Sequence, residues 1–342
     1  MFNYIDDILK APVTDAHDTI GISRENRPVK AAVIGRGNMN ISLIAGCHAD
    51  EPVGPRLLRK LLTWLKGLNN HHKLIRDYKW WIVPHANPDG EQVNKKWYRD
   101  DDDIFDIAAY MRHSARELPG DDVEFSFPHT PGGEGQRPEN TAISRFWLTA
   151  KSTFHVHASL HGMMVAVGPW FLIDEAWINR SQIIQEACVT EVKKMGYHLH
   201  DVDRKGEKGF RRISKGFSTR PDSKSMKAFF LAENNLQMAE KFYPSSMEAI
   251  RNIGGDPLTI VSEMPLFILP GFADCMEWPN PQWQAWQIKL NNWKTDLLSG
   301  KKSGEDIACE IKQEGILPMP IHDQMRLQWR FISAAVEQVE AE

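Results

Sequence analysis

The stretch Ile41-Ser-Leu-Ile-Ala-Gly-Cys-His-Ala-Asp-Glu-Pro-Val-Gly54 constrains this chain most. Its apolar run through Leu43, Ile44 and Ala45 stops at Gly46, and His48 and Glu51 follow at once. A buried strand that ends in a loop bearing an imidazole and a carboxylate fits an open α/β sheet. Such sheets gather their ligands just beyond the carboxyl ends of the strands. The same two side chains are two of the three protein ligands that a catalytic Zn²⁺ takes, with the fourth position left to water. The rest of the chain must then supply a third ligand and a group that handles protons.

Other segments read as the remainder of such a sheet. Residues 28–33, 39–45, 78–84 and 154–160 have strand length and apolar content, and 258–261 is a short apolar strand running into Ser262-Glu263. Residues 52–68 place Leu57, Leu58, Leu61, Leu62 and Leu65 on one helical face, with Pro55 near the start, where proline is tolerated. Helical spacing returns over 138–150, 179–195 and 228–252, and again from Trp278 onward with a break at 318–320. Between them, 91–137 shows little periodicity, and 204–227 is a basic loop with nine Lys/Arg against Glu207 and Asp222. The expected architecture is α/β, a mixed and mostly parallel sheet flanked by helices. Three candidate groups then stand at predicted strand ends: His48 with Glu51, His161, and Glu263. In a parallel-rich sheet such positions converge on one edge.

Composition narrows the classes. Hydrophobic residues make up 42% of the 342 and charged residues 25%, as in ordinary globular proteins. A net charge of -4 gives no reason to expect a nucleic-acid partner. No apolar run approaches the ~18 residues of a membrane span. The start, Met-Phe-Asn-Tyr-Ile-Asp-Asp-Ile, lacks the basic and then apolar pattern of a secretory signal. Cys47, Cys188, Cys275 and Cys309 are far apart, which reads as reduced thiols in a cytoplasmic protein.

Five features in order now give a resemblance to the zinc carboxypeptidase family, the carboxypeptidase A-like metallopeptidases. They are His-x-x-Glu at His48 and Glu51, Asn-Pro-Asp-Gly at 87–90, Pro-Glu-Asn-Thr-Ala-Ile at 138–143, Ser-Leu-His-Gly at 159–162, and the strand running to Glu263. Together they span roughly residues 20–270. The resemblance implies a three-layer sandwich of the phosphorylase/hydrolase-like kind. It implies a catalytic domain over residues 1–275, with 276–342 as a C-terminal helical extension packed on it. It also implies one Zn²⁺ per chain held by His48, Glu51 and His161. Glu263 becomes the general base, which takes a proton from the attacking water and returns it to the leaving amine. Arg99 follows the Asn-Pro-Asp-Gly turn and becomes the candidate for stabilising the oxyanion. Tyr243 is the candidate for the tyrosine that covers the substrate.

The segment Gly-Asp-Asp-Val-Glu-Phe-Ser-Phe-Pro at 120–128 is similar to the family's Gly-Val-Asp-Leu-Asn-Arg-Asn-Phe-Pro. Asp122 matches the aspartate that orients the first ligand histidine. Glu124 and Phe125 stand in place of the Asn-Arg pair that grips a peptide's terminal carboxylate, and a phenylalanine makes no two-point contact with a carboxylate. Substrate contacts are therefore expected from Arg112, Arg116, Glu124 or the basic loop 204–227. The leading expectation is a metallocarboxypeptidase with atypical substrate recognition. One alternative is a deacylase or amidase acting on an N-acyl amino acid or a cell-wall peptide. A catalytically silent binding protein on the same fold is the other. His155, His157 and Cys47 read as packing residues, and the aspartates at 100–103 as a solvated loop.

Overall fold

The structure, a computed structural model, describes residues 3–13, 17–272 and 275–342. Its strands in chain order are β1 (Asp18–Ile22), β2 (Pro28–Gly35), β3 (Met39–Ala45), β4 (Tyr78–Val83), β5 (Val156–Ala166) and β6 (Trp170–Ile173). There follow β7 (Val202–Asp203), β8 (Arg212–Ser214), β9 (Phe217–Thr219), β10 (Leu258–Ile268), β11 (Met276–Glu277) and β12 (Leu317–Pro318). Ten of them form one sheet in the order β1-β2-β4-β3-β5-β10-β6-β9-β8, with β12 added to β10, while β7 and β11 pair separately. The central run β4-β3-β5-β10 is parallel, and antiparallel pairs flank it.

Each central strand is buried on both faces, so its side chains alternate between two cores. Along β3, Leu43 faces the larger core and Ile44 the smaller. The larger core packs helices Val53–Gly67, Gln182–Lys194 and Ile321–Glu340 on one face. The smaller packs Pro138–Leu148 and Ser246–Ile253 on the other, around Phe127, Trp147 and Ile250. The result is the expected three layers of helix, sheet and helix. The leucines at 57, 58, 61, 62 and 65 all lie in the larger core, as their spacing predicts. Helices Pro281–Leu298 and Ile321–Glu340, from the segment beyond residue 275, bury Trp293, Leu327 and Phe331 in that same cluster.

Two strands run further than their sequence suggests. β5 and β10 continue past His161 and Glu263, so these residues sit in mid-strand as direct registered neighbours. The extension holds because Met264 to Ile268 keep pairing with Gly162 to Ala166. Pro265 is tolerated there because β6 pairs only Ile260–Glu263 and β12 only Phe267 and Ile268, which leaves that flank without a ladder partner at the proline. The aperiodic stretch after residue 91 contains one further helix, Ile107–His113, capped by Asp106. No helix among the described residues is long and apolar enough to cross a membrane.

Candidate metal centre and catalytic site

β3 ends at Ala45, and the chain turns at Gly46, whose φ is +68°. A side chain there would collide with the His85 ring, since an added Cβ would lie 2.5 Å from Nδ1. Glycine therefore serves both the backbone conformation and the close approach. The turn carries His48 and Glu51 toward β5, and Asp50 anchors it by accepting from Arg116 Nε (2.7 Å) and the Tyr110 hydroxyl (2.8 Å).

The structure brings His48, Glu51 and His161 together. The two Nδ1 atoms lie 3.2 Å apart, and each is 3.0 Å from one oxygen of the Glu51 carboxylate. Two ligand nitrogens bound tetrahedrally at the usual Zn–N distance would be about 3.3 Å apart. The donor set and its spacing thus fit a zinc ion without rearrangement. Two nitrogen lone pairs and a carboxylate can converge in this way on a cation.

Two of the three candidate ligands, His161 and Glu51, are held from behind. With Nδ1 of His161 facing the cluster as an acceptor, Nε2 carries the ring proton, and Glu124 Oε2 (3.1 Å) and Ser159 Oγ (2.8 Å) lie against it. An anionic acceptor on the far nitrogen fixes the tautomer and makes the near nitrogen a better ligand. Asp122 is buried, and its Oδ1 accepts the Phe125 N–H at 3.0 Å. Burial raises its carboxyl, while the charge of His48 and that hydrogen bond pull it back. Arg116 forms an ion pair with Glu51 as well as Asp50. Despite the desolvation cost, the charges of Arg116, His48 and His161 hold Glu51 well below the usual carboxylate range.

Cys47, Glu124 and His161 make a second group of metal-capable atoms that shares the His161 ring. It is sealed within the protein, and burial followed by the Glu124 charge raises the Cys47 thiol well above its ordinary value. A thiol kept protonated is a poor metal ligand. His48 and Glu51 of the first group instead line a cavity of about 670 Å³.

Glu263 lines that cavity, placed beside His161 by the strand register. Desolvation, then the charge of Glu51, push its carboxyl up to about 8, against the opposing pull of the two histidines. Arg116 and Tyr110 line the same wall.

Other predicted positions lie elsewhere. Arg99 is exposed because its neighbours Trp97 and Tyr98 are drawn into the core, and it is not on the cavity wall. Arg112 borders a different hollow, beside Ser303 and Gly304. Tyr243 packs at a tilt against His129 with ring centroids 4.6 Å apart, away from the cavity lining. Glu124 points inward to His161 rather than toward a substrate, and Phe125 packs edge-on against Phe242. In the segment 204–227, Arg212 is spent on Asp201 and Arg220 on Asp174.

The turn at 87–90 and the helix start at 138–143 are brackets outside the cavity. The buried Arg137 pairs with Glu139 and reaches Asn87, whose side chain caps Gly90. Asp89 ties the same turn to Ser23 and Glu25. Sequence reasoning missed one part of the site wall, the face of helix Pro281–Leu298. Trp283, Gln287, Leu290, Asn291 and Lys294 line the cavity there, and their spacing of three and four residues was the available signal.

A family model described as Peptidase_M14, zinc carboxypeptidase, matches residues 2–248. Zinc carboxypeptidase A 1 of Drosophila melanogaster is 35% identical over 71 residues, 18% of this chain and 16% of that protein. Carboxypeptidase SOL1 of Arabidopsis thaliana is 30% identical over 134 residues, 37% of this chain and 24% of that one. The chain thus spans less than a quarter of the length of these curated relatives. Among solved structures, carboxypeptidase A from Helicoverpa armigera superposes over 99% of this chain and 72% of its own, with a TM-score of 0.50 at 12% identity.

Proposed function

The chain belongs to the zinc carboxypeptidase family, and from that premise we propose that it is a zinc-dependent amide hydrolase acting on peptides, with substrate recognition unlike the usual Asn-Arg clamp. The observation that carries this reading is the convergence of His48, Glu51 and His161 beside a cavity lined by His48, Glu51 and Glu263. One Zn²⁺ held by those three would polarise the scissile carbonyl and acidify a water.

The chain's own residues do the rest. Glu263 accepts a proton from the attacking water as the new C–O bond forms, then delivers it to the amine nitrogen as the C–N bond breaks. A carboxyl raised toward neutral pH is suited to moving a proton both ways. Arg116 stands at the cavity wall beside Glu51 and takes the oxyanion-stabilising role in place of Arg99. Glu124 and Ser159 orient His161, and Asp122 acts on His48 through its charge.

A deacylase reading draws support from one feature: Glu124 and Phe125 are both turned inward, so that segment leaves a substrate carboxylate without a partner. We place the protein in a reducing compartment on the strength of its four free cysteines. Zinc-loaded protein is expected to release the C-terminal residue of short N-blocked peptides. Absence of cleavage for every peptide and every N-acyl amino acid tried would end the hydrolase reading.

A further inference from the structure

Beyond His48, Glu51 and Glu263, the cavity wall carries two kinds of side chain, apolar and hydrogen-bond donating. Met111, Met163, Met164, Val165, Leu290 and Trp283 all line it. Thioether and aliphatic side chains of this kind adapt to apolar groups of varied shape. Helix Pro281–Leu298 contributes Gln287, Asn291 and Lys294 to the same lining. Their spacing of four and then three residues puts them on one helical face.

The charges on this wall are unequal in freedom. Arg116 is held by Asp50 and Glu51 together. Lys294 has no carboxylate partner among the described residues, whereas Lys289 on the same helix is paired with Glu314 at 2.5 Å and lies off the cavity. An exposed ammonium that shares a helical face with two exposed side-chain amides is a set of donors open to an incoming anion. An incoming carboxylate could take hydrogen bonds from all three.

We infer that Lys294, with Gln287 and Asn291, anchors a carboxylate of the substrate, and that the cavity admits a peptide whose terminal residue carries an apolar side chain. The inference rests on the amide-hydrolase reading and names its substrate class. The carboxylate belongs to the terminal main chain or to an acidic side chain, and the two sources are separable by experiment. Lys294 is a specificity-determining residue and takes no part in bond breaking.

The test uses the zinc-loaded full chain and four N-blocked dipeptides: a C-terminal phenylalanine as free acid and as amide, and a C-terminal glutamate as free acid and as amide. The native protein should favour the phenylalanine acid over its amide by about tenfold in kcat/KM, the scale of a charge-assisted hydrogen bond. Lys294→Met should abolish that preference by raising KM for the acid, with kcat within about twofold. Lys294→Arg should restore most of it, and Lys289→Met should leave it intact. Calorimetry supplies a readout independent of turnover: Glu263→Gln protein should bind the phenylalanine acid about tenfold more tightly than Glu263→Gln/Lys294→Met protein.

A preference for the glutamate amide that is lost in Lys294→Met would assign the anchor to a side-chain carboxylate. Equal rates for acids and amides in the native protein, or a preference that survives Lys294→Met, would overturn the anchor while leaving the hydrolase standing. No cleavage of any dipeptide or N-acyl amino acid would remove the hydrolase reading itself, and this assignment with it.

Discussion

Glu124 Oε2 lies 3.1 Å from Nε2 of His161, on the side of the ring turned away from Glu51. A position that sequence comparison would assign to substrate binding thus supports the His161 ring from behind. Glu124→Gln keeps the shape and removes the charge. It should weaken zinc binding by about 10–100-fold, as such partners do elsewhere. Competition with a chromophoric chelator measures this directly. Unchanged affinity would mean that Ser159 alone suffices to hold the ring.

Glu263→Gln separates metal binding from proton transfer. The side chain lines the cavity but is not one of the three converging ligands. Zinc content should stay at one ion per chain by elemental analysis, while kcat falls by about 10²–10⁴-fold. Near-native turnover in this variant would remove Glu263 from the mechanism.

Two arginines invite opposite expectations. Arg116 borders the cavity and pairs with Glu51, whereas Arg99 is exposed outside it. Arg116→Met should cost about 10²-fold in kcat, the scale of losing one oxyanion donor. Arg99→Ala should stay within about twofold of the native enzyme, as expected for a surface change. Steady-state kinetics on one peptide decides between them, and a large loss in Arg99→Ala would restore that residue to the site.

Acid sensitivity should arise at buried histidines outside the candidate metal cluster. His157 is fully buried between the hydroxyls of Ser42 and Ser246, and burial, assisted by the charge of Arg220, lowers it from 6.5 to about 3. The unfolded chain therefore binds a proton there that the folded chain refuses. The neutral ring's contribution to stability is complete above pH 6.5 and is lost progressively as pH falls toward 3. His85 and His200, each lowered to about 4, add to the same trend. Urea unfolding across this window should show a slope smaller by about 1.4 kcal/mol per pH unit in His157→Gln than in the native protein. Identical slopes would show that His157 is protonated in the folded state.

Local pattern was a sufficient guide where one residue's neighbours in sequence are also its neighbours in space. The helix at 53–67 and the strand feeding His48 are cases of this, since periodicity and the glycine at 46 act over a few residues. The extensions of β5 and β10 were not legible, because Pro265 reads locally as a strand breaker and is excused only by the absence of a partner on its flank. Glu124 was misplaced for a similar reason. Alignment fixes its position along the chain, but the direction of its side chain depends on His161, which lies on another strand. Arg116 and Arg99 are indistinguishable as residue types in a stretch without strong periodicity. Only the anchoring of Arg116 by Asp50 and Glu51 separates them. Lys294 is remote from every motif in sequence and enters the wall through the packing of a helix.

The helix Ile321–Glu340 has a bearing on how the enzyme is made. Gln328, buried within it, points its amide nitrogen at the His161 carbonyl and the Ser262 hydroxyl, 3.3 Å from each. During translation, His48 and Glu51 leave the ribosome long before this helix exists. The nascent sheet must wait with one face uncovered, and the strand bearing His161 gains this support only once residues 321–340 have been made.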